Sequence, residues 1–213
     1  MLNNDPTNPE IEQSRVGEAA ELFDKYGYTM FPQQRAIYEN IVQELAFRPE
    51  STGSVLEAGC GNGMGTAMLE NMLPEIVTGT DKLADNIHFA GGLYPWIPFY
   101  TWDLNNAGSL QAEIVIAIEV FEHVADPYAA MQNLLNAASK ELWVSTPNGF
   151  GKQRPPSNPY HVQEYTPAEM FEFATSCEVL PEEFVCRHWK TFEVLDHSQA
   201  ETVDPLVYQI RKI

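Results

Sequence analysis

Short apolar runs alternate with helical patterns from residue 54 onward, and this alternation constrains the fold more than any other feature of the sequence. Repeated strand–helix–strand order is typical of a parallel sheet covered by helices on both faces. The sequence therefore predicts an α/β fold. The five predicted strands are rich in Val, Ile or aromatic residues and bounded by Gly, Pro, Asn or Asp: Ser54–Cys60, Ile76–Asp81, Phe99–Leu104, Glu113–Val120 and Glu141–Pro147.

Helical patterns separate these strands and also follow them. Thr166 precedes a helical pattern, and Glu169 stands three positions later, which predicts a capping box at the helix start. Apolarity is nearly continuous over Ile114–Ile118, as in a central strand buried on both faces. The predicted helices are Met64–Met72, Pro127–Ser139 and Thr166–Ser176, and two further strands are predicted at Glu183–His188 and Leu206–Ile210.

Two segments outside this pattern are expected to cover the functional site. Residues 11–47 resemble a pair of helices broken around Gly27–Pro32, with apolar stripes at helical spacing. Asn148–Val162 is a long loop rich in Gly, Pro and Asn, and loops of that length usually carry function. We interpret residues 1–53 as N-terminal helices capping the site and residues 54–213 as the main domain, together forming one structural domain.

The charge balance argues against several classes of partner. The 213 residues include 12 Lys or Arg against 30 Asp or Glu, which gives a formal net charge of −18. Phosphate backbones and anionic membranes bind through Lys and Arg, so long nucleic acid is disfavoured as a partner. No apolar run approaches the roughly 20 residues that cross a bilayer, so no membrane insertion is expected. Three cysteines without metal-ligand spacing indicate a reducing, cytoplasmic setting.

A glycine-rich turn directly after the first predicted strand carries the strongest functional signal. Residues 57–63 read Glu-Ala-Gly-Cys-Gly-Asn-Gly and precede a predicted helix. Glycine lets the backbone turn tightly and lets a ligand approach where a Cβ would collide. Such a turn is also compatible with a plain strand-to-helix connection, so the neighbouring residues decide its meaning.

Three carboxylates are predicted at the carboxyl ends of three successive strands, around one crevice. Glu57 lies two positions before the first glycine, within reach of a cationic ligand group. Asp81 ends the second strand, where a carboxylate can accept hydrogen bonds from both hydroxyls of a ribose. Asp103 ends the third strand and can accept a hydrogen bond from the exocyclic amine of an adenine. A phosphate would be poorly received there, so the implied ligand is an adenosine bearing positive charge.

These motifs resemble those of the class I methyltransferases that use S-adenosylmethionine, from about residue 54 to residue 213. Residues 55–63 are similar to the family's first motif, and residues 113–124 to its fourth strand with the Glu-His ending of one branch. The resemblance implies a Rossmann-like, seven-stranded, mostly parallel sheet with helices on both faces and an antiparallel last strand. It implies S-adenosylmethionine as cofactor, bound by Glu57, Gly59, Cys60, Gly61, Gly63, Asp81, Asp103, Leu104 and Glu119.

The resemblance also bears on the acceptor, through signatures that are missing. The family's amino-methylating signature, Asn or Asp followed by Pro-Pro and an aromatic residue, is absent after the fourth strand, where Glu119–His123 stands. The Lys-Asp-Lys-Glu set of messenger-RNA cap ribose methyltransferases has no counterpart. We therefore expect methyl transfer to an oxygen of a small-molecule acceptor, assisted by a general base. The catalytic candidates are His161 and His123, with His161 preferred, because imidazole titrates near neutral pH.

Three alternatives stay open. A divalent metal at Glu119, Glu122, His123 and His161 would resemble the metal set of the ubiquinone-pathway O-methyltransferases and the small-RNA 3′-end methyltransferases. Mixed Glu and His ligands suit manganese, iron or zinc better than magnesium, although a hydrogen-bonded turn without metal is the preferred interpretation. The second is an RNA terminal-ribose methyltransferase that uses such a metal. The third is a non-catalytic module that binds S-adenosylmethionine or its product and regulates a partner.

Overall fold

A single seven-stranded sheet organises the part of the chain that the computed structural model describes, residues 30–48, 53–74, 76–178 and 181–212. The strand order is β3-β2-β1-β4-β5-β7-β6. Strands β1 to β5 pair in parallel, and β7 pairs antiparallel with both β5 and β6. The predicted sheet is thus confirmed. Its strands are β1 (Val55–Ala58), β2 (Val77–Asp81), β3 (Phe99–Thr101), β4 (Ala112–Ile118), β5 (Ala138–Thr146), β6 (Glu183–His188) and β7 (Leu206–Arg211).

Six α-helices and one 3₁₀ helix lie in the described ranges. The predicted capping box is present, since the Thr166 hydroxyl accepts from the Glu169 N–H and the Glu169 carboxylate accepts from the Thr166 N–H. None of these helices is long and apolar enough to cross a bilayer. The helices are α1 (Pro32–Ala46), α2 (Met64–Met72), α3 (Ala84–Leu93), α4 (Pro127–Ala137), α5 (Pro167–Thr175) and α6 (His197–Ala200), and the 3₁₀ helix is Phe121–His123.

Some elements differ from the sequence predictions. The helix predicted to end at Ser139 ends at Ala137, because Ala138 already pairs with Ala112 as the first residue of β5. Helix α3 was not predicted at all, since two consecutive glycines near its end lower its intrinsic helix propensity. The first of the two predicted N-terminal helices lies outside the described residues, and the domain boundary at residue 53 stays a prediction.

Strand β4 is buried on both faces, as its apolarity predicts. Side chains alternate across a strand, so Ile114, Ile116 and Ile118 join one core cluster while Val115 and Ala117 join the other. The first cluster contains the apolar faces of α1 and α2, and the second contains those of α4 and α5. Helix α1 is therefore part of the layer that covers one face of the sheet.

The strand order creates a crevice next to β1. Strand β2 pairs on one side of β1 and β4 pairs on the other. The connections after β1 and β4 therefore leave in opposite directions, and the space between them opens at the carboxyl ends of the strands. Ligands bind at such switch points in open α/β sheets, which makes this edge the candidate site.

Candidate active site

A cavity of about 160 Å³ lies at this edge of the sheet. Six residues predicted from the sequence line it: Gly59, Asp81, Asp103, Leu104, Glu119 and His123. Trp102 also lines it, as do six residues that were not predicted: Lys82, Leu83, Asn86, Asn105, Val120 and Val124. The other predicted residues, Glu57, Cys60, Gly61, Gly63, Glu122 and His161, are not among those that line it. The cavity is therefore lined by the predicted carboxylates that end or follow β2, β3 and β4, but not by Glu57 of β1.

The glycine turn takes a backbone shape that other residues adopt only with strain. Gly59 has a φ of 76° and Gly61 a φ of 54°, both in the left-handed region. A Cβ at Gly59 would collide with the side chain of Val120, whereas a Cβ at Gly61 would meet no described atom within 4 Å. Gly59 thus permits close packing against the segment after β4, while Gly61 leaves open space above the turn. That open space is where a ligand can approach the backbone.

Asp81 joins the end of β2 to the glycine turn. Its Oδ2 accepts from the Gly61 N–H at 2.9 Å, and its Oδ1 accepts from the Leu83 N–H at 2.8 Å and from Asn86 Nδ2 at 3.2 Å. Burial raises the pKa of this carboxyl, although these hydrogen bonds oppose the shift. Asn86 lies five positions after Asp81 on α3, a helix that sequence analysis did not predict.

Asp103 lies beyond the end of β3 in a local turn. Its Oδ1 accepts from the N–H and the side-chain amide of Asn105, at 3.0 and 2.9 Å, and its Oδ2 accepts from Asn106 Nδ2 at 3.3 Å. The neighbouring indole of Trp102 donates to the Asn106 carbonyl at 3.1 Å. A buried aromatic ring therefore stands next to a half-buried carboxylate, an arrangement that suits a flat heterocycle with an exocyclic amine.

Glu57 lies beneath the glycine turn rather than in the cavity. It is 1% exposed, and its two carboxylate oxygens accept hydrogen bonds from the hydroxyls of Tyr38 and Thr66. Burial is the main reason that its pKa is raised to about 7. Cys60 is also buried, and burial raises the pKa of its thiol, so the thiol is neutral and fills space.

Glu119 takes a strained backbone conformation directly after β4. Its φ is 54°, which is uncommon for a residue with a Cβ and is seen often at functional sites. Its N–H donates to the Ser145 carbonyl at 3.0 Å, and the Ser145 hydroxyl donates to Glu119 Oε1 at 2.8 Å. Burial raises the pKa of Glu119 to about 7. Ser145 therefore holds this carboxyl at the wall of the cavity.

Two histidines meet at the end of the cavity with their rings 5.1 Å apart, edge to face. His123 Nδ1 donates to the Tyr160 carbonyl at 2.7 Å, so the neutral ring carries its lone pair on Nε2. Asn158 Oδ1 accepts from the Tyr160 N–H at 3.0 Å, which turns its amide nitrogen toward His161 Nε2 at 2.8 Å. The lone pair on His161 Nε2 therefore accepts a hydrogen bond from the Asn158 amide, and His161 Nδ1 donates to Glu164 at 2.8 Å.

A chain of charged groups continues from His161 across the loop after β5. Lys152 Nζ lies 2.8 Å from Glu164 Oε2 and 2.7 Å from Asp204 Oδ2. Although partial burial lowers the pKa of Lys152, hydrogen bonds to the two carboxylates raise it overall. Asp204 in turn accepts from the Asn148 N–H at 2.9 Å. Sequence analysis missed Lys152 and Asp204, because no local motif marks either of them.

Three of the four predicted metal ligands come together. In Glu122, His123 and His161, one potential ligand atom of each lies within 4.8 Å of the others. Glu122 is 1% exposed, and its Oε2 has no hydrogen-bond partner in the described part of the chain. Glu119 is outside this group, because Ser145 holds its carboxyl. The donor set of one carboxylate and two imidazoles fits zinc, manganese or iron better than magnesium.

We expect Glu57 to make the unfolding free energy of the unliganded protein depend on pH. Burial raises its pKa from 4.5 to about 7, while Thr66 and Tyr38 lower it and Asp81 raises it further. Because the folded-state pKa lies above the unfolded-state value, the protonated form stabilises the fold. This stabilisation is complete below pH 4.5 and is lost as the pH rises through about 7.

A comparison with Glu57→Gln isolates this effect, because all other titrating groups are common to the two proteins. From about pH 5.5 to about pH 8, the wild type should lose on the order of 2 kcal/mol more unfolding free energy than the variant. Urea unfolding at several pH values measures both curves. Parallel curves would contradict a raised pKa at Glu57.

Comparisons with known proteins agree with this geometry. A family model described as a methyltransferase domain matches residues 22–191. A probable S-adenosylmethionine-dependent methyltransferase from Mycolicibacterium smegmatis is 26% identical over 149 residues, which are 67% of this chain. The chain spans 56% of the length of that relative.

Solved structures with the same fold are methyltransferases. A magnesium protoporphyrin IX methyltransferase from Synechocystis with bound S-adenosylhomocysteine gives a TM-score of 0.66 at 15% identity, over 97% of this chain and 100% of that one. A plantazolicin methyltransferase bound to a substrate analogue and S-adenosylhomocysteine gives a TM-score of 0.66 at 18% identity, over 95% of this chain and 97% of that one. A TehB-like S-adenosylmethionine-dependent methyltransferase from Corynebacterium glutamicum gives a TM-score of 0.65 at 17% identity, over 97% of this chain and 100% of that one. The chain therefore belongs to the methyltransferase-domain family and has the fold of the class I S-adenosylmethionine-dependent methyltransferases.

Proposed function

We propose that this chain binds S-adenosylmethionine and catalyses transfer of its methyl group to an oxygen of a small-molecule acceptor. One observation carries the proposal: the cavity at the switch point is lined by Gly59 of the glycine turn, by Asp81 and Asp103, and by His123. The relatives above include proteins described as dependent on S-adenosylmethionine or solved with its product. A ligand-binding end and a proton-accepting end thus share one cavity.

The cofactor end of the cavity is suited to a nucleoside without phosphates. Asp81 would hold the ribose hydroxyls, and Asp103 with Trp102 would hold the adenine, because a carboxylate accepts from hydroxyl and amine groups. The open backbone above Gly61 admits the remainder of the cofactor. When bound, S-adenosylmethionine supplies a methyl group already activated by the sulfonium. The protein then has to orient the acceptor and accept its proton.

We prefer His123 to His161, because His123 lines the cavity and His161 is not among the residues that line it. His123 lines the cavity, and its Nε2 carries the lone pair because Nδ1 is protonated toward the Tyr160 carbonyl. Glu122 Oε1 lies 3.7 Å from that Nε2, and burial raises the pKa of this carboxyl, so an imidazolium at His123 would favour its ionised form. The Nε2 of His161 instead accepts from Asn158. We therefore assign His123 as the general base and His161 as a neighbour that packs against its ring.

Charge at the acceptor end supports a small neutral acceptor over RNA. Glu119 lines the cavity, and Glu164, Asp204 and Lys152 lie close enough to shift its pKa. Lys152 is already paired with Glu164 and Asp204. An anionic phosphate backbone would be repelled here as well as by the net charge of −18. An acceptor hydroxyl on a neutral molecule meets no such penalty.

Asp81→Ala should weaken binding of S-adenosylhomocysteine by about 1–3 kcal/mol, because the variant loses hydrogen bonds to the ribose and to the Gly61 N–H. Asp85→Ala is the matched control, since Asp85 is an exposed carboxylate four positions further along that does not line the cavity. Isothermal titration calorimetry measures both affinities. Unchanged affinity in Asp81→Ala would remove Asp81 from the cofactor site.

His123→Gln should lower the turnover number by about 10²- to 10⁴-fold, the usual contribution of a general base, and leave the affinity for S-adenosylhomocysteine within about twofold. His197→Gln serves as the control, because His197 is exposed and far from the cavity lining. Turnover is followed as transfer of a labelled methyl group into a small-molecule extract. A His123→Gln protein that keeps wild-type turnover would exclude this role.

The cluster of Glu122, His123 and His161 favours a second candidate, in which these three residues would hold a divalent metal. Such a metal would supply Lewis-acid chemistry, which lowers the pKa of a hydroxyl. The buried Glu122 oxygen without a partner is the specific observation behind it, because such an atom normally has a hydrogen bond or a bound ion. This candidate also includes methylation of a terminal RNA ribose.

Labelled transfer into a small-molecule extract and into total RNA, each with and without excess chelator, separates these candidates. We expect labelled small molecules, unlabelled RNA and full activity in chelator. Loss of turnover in chelator, restored by manganese while cofactor binding persists, would establish the metal and displace the base mechanism. Binding of S-adenosylhomocysteine without transfer into either extract would favour a regulatory module.

A further inference from the structure

A buried polar cluster under the glycine turn joins the N-terminal helix α1 to the proposed cofactor site. It consists of Glu57 at the end of β1, Thr66 in the first turns of α2 and Tyr38 on α1. The hydroxyls of Tyr38 and Thr66 each donate to a different oxygen of the Glu57 carboxylate. The exposed fraction is 5% for Tyr38, 1% for Glu57 and 0% for Thr66, so solvent cannot replace these contacts.

The backbone of α2 is shaped to let this cluster form. A Cβ at Gly65 would collide with both Glu57 Oε1 and the Tyr38 hydroxyl. Only glycine allows the start of α2 to approach the carboxylate and the phenol so closely. A glycine is therefore needed at Gly65 in the first turn of α2, because the groups beside it are the Glu57 carboxylate and the Tyr38 phenol.

The cluster holds both ends of the glycine turn. Glu57 precedes Gly59 by two positions, and Thr66 follows Gly63 by three. The Glu57 carbonyl also accepts from the Thr80 hydroxyl at 2.9 Å, so the same residue is held to β2. The intervening turn is therefore fixed at its start and its end by one carboxylate. Fixing both ends lowers the entropy that the turn would lose when a ligand orders it.

We propose that Tyr38 is a positioning residue for cofactor binding, acting through the Glu57 carboxylate. Without its hydroxyl, one carboxylate oxygen would be buried with no donor, and burial of an unsatisfied polar atom is costly. The carboxylate would then shift toward water, and the glycine turn would shift with it. This inference rests on the proposed binding of S-adenosylmethionine and makes helix α1 a working part of that site.

Four single substitutions test the inference. Tyr38→Phe and Thr66→Val each remove one hydroxyl while keeping the shape of the side chain, and Thr66→Ser keeps the hydroxyl. Tyr208→Phe is the matched control, because Tyr208 is equally buried and its hydroxyl has no hydrogen-bond partner among the described residues. The probe is S-adenosylhomocysteine, titrated by calorimetry, with thermal unfolding of each variant measured in parallel.

Tyr38→Phe and Thr66→Val should each weaken binding about 10-fold, which corresponds to about 1.4 kcal/mol. Thr66→Ser and Tyr208→Phe should stay within about twofold of the wild type. If Tyr38 acts through Glu57, then Tyr38→Phe should have little further effect in a Glu57→Gln background, a non-additivity that a separate stabilising role would not produce.

Affinity within twofold of the wild type in Tyr38→Phe, or full additivity with Glu57→Gln, would overturn the inference. So would equal losses in Thr66→Ser and Thr66→Val, because the hydroxyl would then not be the important group. A wild-type protein that does not bind S-adenosylhomocysteine would instead overturn the proposed function. The two failures are therefore distinguishable in one set of titrations.

Discussion

The site depends on the position of β1 between β2 and β4 in a parallel sheet. Because these strands run in the same direction, the residues that follow them meet at one edge, and because the connections leave in opposite directions, that edge stays open. Gly59 makes this arrangement tight, since its missing Cβ lets the turn pack against Val120 after β4. The cavity, the left-handed backbone at Glu119 and the histidine pair all follow from this meeting of two strand ends.

The arrangement of strands and the positions of Asp81 and Asp103 beside the cavity were predictable because both are encoded locally. Apolar runs mark the buried strands, and Asp81 and Asp103 are recognisable from their positions at strand ends. The capping box of α5 was predictable for the same reason, since Thr166 and Glu169 contact each other within one helical turn. Helix α3 was missed because its glycines weaken the local signal, although packing on the sheet forms it regardless.

The hydrogen-bonding states of the site residues were not predictable, because they depend on contacts that no local motif marks. The sequence predicts Glu57 as a ligand-binding carboxylate. In the structure the hydroxyl of Tyr38, 19 positions earlier, donates a hydrogen bond to one of its oxygens. His161 looks like the better base until Asn158 is seen to take its lone pair. In each case the three-dimensional structure supplies a partner that decides which atoms are available. Six of the predicted residues line the cavity, but their hydrogen-bonding states required coordinates.

The loop after β5 has its two ends joined to each other. Asn148 and Tyr165 form an isolated parallel bridge, and the Gly149 N–H donates to the Tyr165 carbonyl at 2.9 Å. The Asn148 amide also donates to the carbonyls of Ala200 and Val203, so the base of the loop is held to the chain that enters β7. Residues 150–157 can thus change in length without disturbing strand register, whereas Asn158 and Tyr160 contact the two histidines. The loop therefore combines a stretch whose length the sheet does not constrain with a short end that the histidine pair holds in place.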